Sequence, residues 1–266
     1  MKTAVFCVCR NESKLLPLWF KYYSEIFGAE NVYVFDDNST EKYDIDFVNY
    51  EMLNLGRDPN AERFGVHDYG TLWNFIINKY HELLKSYECV IHVDTDDFII
   101  ALPSLKDYID IHKKLYFRCT AYEVLQGINE PALDWNRPVL EQRENWIRIT
   151  NLDKTCIVTG SLELKGPGSW VIGNHYACGS PNEVSNKSLI LVHLHRIDYE
   201  NYKKKYFVQD KRIQNERDFI HLYGGYPLFW QKSVMDDYFN CPDANNRWEA
   251  RPACIERIPE KYKGGF

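Results

Sequence analysis

The sequence has no excess of positive charge and no long apolar run. Its 266 residues include 32 Lys and Arg against 38 Asp and Glu, which gives a formal net charge of −6. A protein that binds duplex DNA or RNA normally presents a basic face, so this balance argues against nucleic acid as a partner. The absence of any run of about 18 apolar residues argues against a transmembrane segment and is compatible with peripheral membrane association.

Cysteine pairs of the CxxC type and a recognisable cleavable leader are also missing. The chain has eight cysteines, but no two have the CxxC spacing that structural zinc sites normally use. Residues 1–13 contain one early lysine and a short apolar stretch without a small-residue cleavage site, which predicts a first strand rather than a signal peptide. We therefore expect a cytoplasmic protein whose cysteines are reduced and buried as small hydrophobic side chains.

Aromatic residues, by contrast, are abundant, with 19 Tyr, 14 Phe and 7 Trp. Those on regular elements are expected in the core or at its edge. Others lie in the irregular ranges 135–176 and 223–248, where Trp135, Trp146 and Trp170 are candidates for gripping a flat, half-apolar ligand. For each of these three, packing in the core or at its rim is the alternative.

The first hundred residues alternate between strand and helix patterns. Strands are predicted over 3–9, 31–35 and 88–93, and helices over about 14–27 and 71–87. This order is typical of parallel βαβ units, in which helices cover both faces of the sheet. We therefore expect an α/β fold with a central, mostly parallel sheet flanked by helices.

The pattern changes after residue 103. Residues 127–145 are rich in Pro and charge and predict a loop. Further strands are predicted over 115–126, 155–160 and 188–195, and a polar helix over about 198–220. Without a repeat or a low-complexity linker, we expect one domain over 1–222 and an irregular C-terminal extension over 223–266 packed on it.

Each of the first three strands runs into a polar loop. The loops contain Arg10, Asn11 and Glu12; Asp36 and Asp37; and Asp94, Asp96 and Asp97. Ligands of parallel α/β sheets bind at the carboxyl ends of the strands, which is where all three loops are expected. The sequence therefore predicts a ligand site at that edge.

The third loop carries the densest negative charge. Asp94 and Asp96 alternate by two, so in an extended segment their carboxylates face the same side and repel each other. A divalent cation relieves such repulsion, and hard oxygen ligands favour Mg²⁺ or Mn²⁺ over zinc. The alternative is an acidic turn that caps the segment after the strand.

These motifs resemble those of a known family. Asp94-Thr95-Asp96, followed by Asp97 and Phe98, is similar to the metal-binding DxD segment of family-2-like nucleotide-sugar glycosyltransferases with the GT-A fold. That motif usually reads D-x-D-E-F, so Asp97 replaces the usual Glu. Asn11-Glu12 resembles the opening N-E motif of the family, and residues 36–40 resemble its D-[DN]-x-S-T loop. The resemblance covers residues 3–103 and a shorter part at 154–205.

The resemblance implies a GT-A, Rossmann-like fold and a nucleotide-sugar donor of the UDP or GDP type. The donor would contact the first two loops through Arg10, Asn11, Glu12, Asp36 and Asp37. Arg10 would bind a phosphate with its guanidinium, and an ion pair with an acidic neighbour is its alternative role. Asp94 would face ribose or sugar and count among the metal ligands, and Asp96 would coordinate Mn²⁺ or Mg²⁺ at the diphosphate.

A second cluster follows the strand predicted at 188–195. His193 and His195 alternate, so both imidazoles leave one face of the strand, beside Arg196. A structural role in the core is the alternative. The segment resembles the H-Y-R segment of related glycosyltransferases, with Leu194 in place of Tyr. The resemblance implies that His193 completes the metal site, and that His195 and Arg196 bind the donor and neutralise its diphosphate.

Glycosyl transfer also needs a group that deprotonates the acceptor hydroxyl in an inverting enzyme. Glu123 is the preferred candidate because it lies near the end of a predicted strand, and Glu130 and Asp134 are the next choices. Asp97 is a second catalytic candidate. The residues leave open whether the reaction inverts or retains the configuration of the sugar.

We therefore predict a metal-dependent glycosyltransferase, a hexosyl- or related transferase, that uses a nucleotide sugar and a glycan or other hydroxyl acceptor. Two alternatives stay open at this point. One is a metallohydrolase that uses the Asp and His residues as a dinuclear site. The other is a catalytically silent carbohydrate-binding protein of the same fold.

Overall fold

The computed structural model describes residues 1–55, 66–112, 116–127, 130–148, 153–159, 186–198, 200–201 and 255–264. The chain divides into two compact units. The first comprises Met1–Ala121 and Thr150–Val192, and the second comprises Tyr122–Ile149 and His193–Phe266. The predicted boundary between residues 222 and 223 lies outside the described residues and stays a prediction.

A parallel sheet forms the centre of the first unit. Its strands are β1 (Thr3–Cys9), β2 (Val32–Asp37), β3 (Asn49–Leu53) and β4 (Cys89–His92), in the spatial order β3-β2-β1-β4. Strand β1 is an apolar run and is buried almost throughout, as expected for a central strand covered on both faces. The predicted α/β class with a parallel sheet flanked by helices is confirmed.

Three helices described in the first unit have an amphipathic sequence pattern. They are α1 (Leu15–Phe27), α2 (Val66–Leu83) and α3 (Leu105–His112). Helix α2 packs the apolar face that includes Tyr80 onto Phe6 of β1. Helix α1 ends where Gly28 takes a φ of 87°, a left-handed conformation that costs glycine little.

Further strands extend the first unit. They are β5 (Asp97–Ala101), the first part of β6 (Tyr116–Leu125), β8 (Thr155–Thr159) and β9 (Asn186–His193). Strand β8 pairs with β4 and with the start of β6, and β5 pairs with β9. Strands β6, β8 and β9 confirm three predicted strands, whereas β3 and β5 were not predicted.

The second unit is built on a smaller antiparallel sheet. Residues Tyr122–Leu125 of β6 pair with β7 (Asn145–Arg148), which pairs with β10 (Ile255–Arg257). A short helix, α4 (Glu260–Lys263), follows β10. Trp146 is buried and stacks on Tyr122 with ring centroids 4.3 Å apart, so it packs in the core of this unit.

Other predictions are only partly covered by the described residues. Trp170 and most of the helix predicted over 198–220 lie outside them. Five cysteines are described, and all are buried and free: Cys7, Cys9, Cys89, Cys119 and Cys156. The prediction of buried, reduced thiols is therefore confirmed for these five. Within the described ranges, no helix combines the length and the apolar character needed to cross a membrane.

Tyr23 offers a test of how α1 is anchored on β5. Its buried hydroxyl accepts a hydrogen bond from the N–H of Ile99 at 3.0 Å and donates to the carbonyl of Asp97 at 3.2 Å. Tyr23→Phe leaves a buried N–H without this acceptor, and we expect the free energy of unfolding to fall by about 1–3 kcal/mol in urea titrations. Tyr33→Phe, which removes a half-buried hydroxyl bonded to Tyr87, is the matched control and should cost less. Equal losses in the two variants would contradict this account.

Candidate functional site

The loop after β1 is tied to the loop after β2 through Asn11. The backbone N–H of Asn11 donates to Ser39 Oγ at 2.8 Å, and its Oδ1 accepts from the N–H groups of Thr40 at 2.8 Å and Glu41 at 3.2 Å. Asn11 adopts a φ of 55°, a left-handed conformation that asparagine tolerates better than most residues. These contacts show that Asn11 holds the two loops together.

Asp36 shapes the second loop from inside. Its side chain is fully buried, with Oδ1 accepting from the N–H of Ser39 and Oδ2 from the hydroxyl of Tyr50, each at 2.8 Å. Asp37 is buried as well, whereas Arg10 is partly exposed and Asn38 is exposed. Among the residues predicted to bind the donor, Arg10 is therefore more accessible than Asp36 or Asp37.

The three carboxylates after β4 lie close together. Asp94, Asp96 and Asp97 each offer an oxygen within 4.8 Å of those of the other two. The backbone N–H of Asp97 donates to the carbonyl of Asp94 at 3.0 Å, which closes a turn. Asp96 and Asp97 are buried, while the side chain of Asp94 is 49% exposed. Hard oxygen donors at this spacing fit Mg²⁺ or Mn²⁺.

A buried lysine bridges two of these carboxylates. Lys154 precedes β8, and its Nζ donates to Asp94 Oδ2 and to Asp97 Oδ2, each at 2.7 Å. The side chain of Lys154 is 6% exposed and that of Asp97 is fully buried. One ammonium among three carboxylates leaves an excess of negative charge in the cluster.

The charges of this cluster shift one another's pKa. Burial acts to lower the pKa of Lys154, but the carboxylates of Asp94, Asp97 and Asp96 raise it well above its usual value. Burial acts to raise the pKa of Asp94, but the charge of Lys154 and the hydrogen bond that it donates bring the net pKa below its usual range. Lys154 and Asp94 therefore both stay charged near neutral pH.

His92, two residues before Asp94, is a core residue rather than a charged one. Its ring lies 4.7 Å from that of Phe6 and 6.2 Å from that of Tyr80, measured between centroids. Burial lowers the pKa of His92 to about 4, so the imidazole is neutral near pH 7.

The second unit carries its own cluster around Glu123. The Glu123 side chain is fully buried on β6, and its Oε2 lies 2.6 Å from His193 Nδ1 and 2.6 Å from Arg196 Nη1. Its Oε1 accepts from the backbone N–H of Arg196 at 3.1 Å. The rings of His193 and His195 stack with centroids 5.4 Å apart. His193, His195 and Arg196 were predicted together, and the structure brings all three to Glu123 or to each other.

The surroundings of Glu123 bear on its predicted role as a base. Burial acts to raise its pKa, but the charges of His193 and Arg196 together bring it below the usual value. Both oxygens already accept hydrogen bonds from this unit, which favours a role in holding its partners. The other candidates for the base make local hydrogen bonds. Glu130 accepts from the backbone N–H of Glu144 at 2.7 Å, and the exposed Asp134 accepts from the backbone N–H of Asn136.

The residues predicted to bind metal or to act as catalytic groups thus gather in two clusters. The acidic cluster (Asp94, Asp96, Asp97 and Lys154) belongs to the first unit, and the Glu123 cluster (Glu123, His193, His195 and Arg196) belongs to the second. The expectation that His193 binds the same metal ion as Asp96 stays a prediction, because these residues belong to different units. Asp97 was predicted as catalytic, but its burial against Lys154 favours a structural role for it in the cluster.

No protein-family model and no curated protein sequence matches this chain. Among solved structures, S. aureus TarS shares 17% identity at a TM-score of 0.30, with 60% of this chain and 28% of that chain covered. TarS 1–349 in complex with UDP-GlcNAc shares 18% identity at a TM-score of 0.31, covering 60% of this chain and 45% of that chain.

Core-mannan synthase A (CmsA/Ktr4) of Aspergillus fumigatus, in an Mn/GDP form, is also similar. It shares 12% identity at a TM-score of 0.26, with 49% of this chain and 44% of that chain covered. The chain thus spans less than half the length of each of these three structures.

Removing the lysine tests the electrostatics of the acidic cluster. Lys154→Met leaves Asp97 buried without its cation, and we expect the free energy of unfolding to fall by about 3–5 kcal/mol in urea titrations. Lys154→Met combined with Asp97→Asn should recover part of the loss, because the buried negative charge is then gone as well.

Lys21→Met is the matched control for this prediction. It removes an ammonium that is 74% exposed, and it should change stability by no more than about 0.5 kcal/mol. A Lys154→Met protein as stable as the wild type would show that the buried ion pair is not needed.

The lowered pKa of Glu123 predicts a specific pH dependence. A carboxyl whose pKa is lowered on folding contributes stability above its unfolded pKa, and this contribution disappears as the pH falls through the folded pKa. We therefore expect the stability advantage of wild type over Glu123→Gln to be full near neutral pH and to shrink below the ordinary glutamate value of 4.5. Urea unfolding of both proteins over an acidic pH series measures this difference, and a difference independent of pH would contradict it.

Proposed function

We propose that the protein is a metal-dependent glycosyltransferase that moves a sugar from a nucleotide-sugar donor to a hydroxyl acceptor such as a glycan. The acidic cluster is the observation that carries the proposal. Its DxD sequence follows a buried parallel strand, and its carboxylate oxygens converge within 4.8 Å. Ligand sites of parallel α/β sheets lie at such strand ends.

In this proposal Asp96 and Asp94 hold Mn²⁺ or Mg²⁺. The bound cation would supply charge neutralisation for the diphosphate that leaves with the nucleoside. Lys154 offsets the repulsion between the carboxylates of Asp94 and Asp97 and fixes their orientations, since its Nζ lies 2.7 Å from an oxygen of each. The first unit's own lysine thus orders the carboxylates before any ligand binds.

The loops after β1 and β2 would receive the nucleoside part of the donor. Asn11 and Asp36 supply the shape, because their side chains bond to the neighbouring loop backbone. Arg10 supplies a positive charge suited to a phosphate oxygen. The donor proposed here is of the UDP or GDP type. His195 and Arg196 carry the nitrogen donors of the second unit that suit a phosphate group.

The donor site can be tested by thermal unfolding with UDP or GDP in the presence and absence of Mn²⁺. A nucleotide at about 100 times its Kd adds roughly 2.7 kcal/mol of stability, which raises the Tm of a protein of this size by on the order of 5–10 °C. We expect this increase only when metal is present, and expect Asp96→Asn to abolish it.

Glu25→Gln is the control for that experiment, because it removes an exposed carboxylate on α1 and should leave the increase intact. No shift with any nucleotide, or an unchanged shift in Asp96→Asn, would refute the donor site. Phosphate released from a simple ester would indicate a metallohydrolase instead. Stabilisation without hydrolysis or transfer across many acceptors would indicate a binding protein.

A further inference from the structure

We propose that Glu123 is a positioning residue. Its carboxylate orients His193 and Arg196 so that the two side chains together bind an anion of the phosphate class. This proposal rests on the proposed function only for the class of the anion, a phosphate or diphosphate. The orientation of the two cationic partners by Glu123 stands on the geometry of the second unit alone.

The carboxylate of Glu123 contacts three groups at once. Oε2 lies 2.6 Å from both His193 Nδ1 and Arg196 Nη1, and Oε1 lies 3.1 Å from the backbone nitrogen of Arg196. An ionised carboxylate is only an acceptor, so the Nδ1 of His193 carries the proton in this contact. Any metal or phosphate that His193 binds is therefore met by Nε2.

A buried carboxylate behind a histidine is a known way to fix the tautomer and the ring orientation of that histidine. Here the same carboxylate also fixes the guanidinium of Arg196, whose side chain is 13% exposed. Sharing one acceptor ties the two side chains together, so that the histidine and the arginine are presented as a pair.

The backbone around these side chains is held independently of Glu123. The carbonyl of Ile197 accepts a hydrogen bond from Nε of the buried Arg143 at 2.7 Å. Asp198 Oδ2 accepts from the N–H of Leu133 at 2.8 Å. The segment therefore has its own anchors at the two residues that follow Arg196. Loss of the Glu123 carboxylate should disturb the orientation of His193 and Arg196 more than the course of the chain.

This role differs from the general base that the sequence suggested for Glu123. A base must reach the acceptor hydroxyl, whereas the Glu123 side chain is fully buried and both of its oxygens face His193 or Arg196. Positioning predicts weaker anion binding when the carboxylate is lost. A base predicts normal anion binding, a large loss of kcat and loss of the acidic limb of the pH profile.

The tautomer of His193 gives a readout that needs neither substrate nor metal. In ¹⁵N-histidine-labelled protein, with the His193 signal assigned through His193→Gln, we expect the Nδ1–H form in the wild type. In Glu123→Gln we expect a mixture of forms or the Nε2–H form. A wild-type His193 in the Nε2–H form would overturn the proposal, whether or not Glu123→Gln folds.

Binding of inorganic pyrophosphate, measured by calorimetry without metal, gives the second readout. We expect Glu123→Gln to weaken it by about tenfold or more, as loss of such outer contacts typically does, and Glu123→Asp to recover part of the affinity. Glu144→Gln, which removes a carboxylate that is 66% exposed, is the matched control and should bind like wild type. Unchanged affinity in Glu123→Gln, with a fixed Nδ1–H tautomer, would overturn the proposal.

The two proposals fail in different ways. If UDP and GDP never stabilise the protein but the tautomer and the pyrophosphate affinity respond to Glu123→Gln, the glycosyltransferase proposal fails and the positioning role stands. If nucleotides stabilise the protein and Glu123→Gln changes kcat alone, Glu123 is a base and the positioning role fails.

Discussion

The ion pairs of Lys154 with Asp94 and Asp97 are the constraint on which the acidic cluster depends. Three carboxylates on four consecutive residues repel one another, and two of them are buried. Without an internal cation, the folded chain would carry this repulsion whenever no metal is bound. Lys154 removes part of it at 2.7 Å from two of the carboxylates. The turn after β4 can therefore form before a ligand arrives.

The Glu123 cluster is also organised around one buried charge, but the signs of the charges are reversed. A single buried carboxylate gathers an imidazole and a guanidinium, as a single buried ammonium gathers Asp94 and Asp97 in the other unit. In both clusters the central charge has little contact with solvent, while at least one of its partners is more exposed. The exposed fraction is 49% for Asp94 and 13% for the side chain of Arg196. In each cluster the buried charge orients its partners, and the more exposed partners are the groups that a ligand would contact.

The central fold could be predicted because its signals are local. Apolar runs such as 3–9 and 88–93 identify buried strands, and the spacing of polar loops after them locates the ligand edge. The contacts of Lys154 could not be predicted, since it lies 57 and 60 residues from its partners and nothing in local periodicity joins them. The contact of Glu123 with His193 spans 70 residues and was missed for the same reason. Edge strand β3 was also missed: it is five residues long and its apolar residues Tyr50 and Met52 are exposed, so it is not the buried apolar run that identified the central strands.

Burial explains why several predicted ligand-binding residues have a different immediate role. A side chain that belongs to a motif is assumed to face the ligand. A polar side chain in a tight loop can instead be needed for hydrogen bonds to the backbone of the loop. Asp36 accepts from Ser39 and Tyr50 with both oxygens while fully buried, and Asn11 caps the neighbouring loop backbone. Replacing either residue would therefore change the shape of the loop first and ligand contacts second. A motif thus identifies where chemistry is placed, whereas burial and hydrogen bonding identify which of its members hold the site and which can touch a substrate.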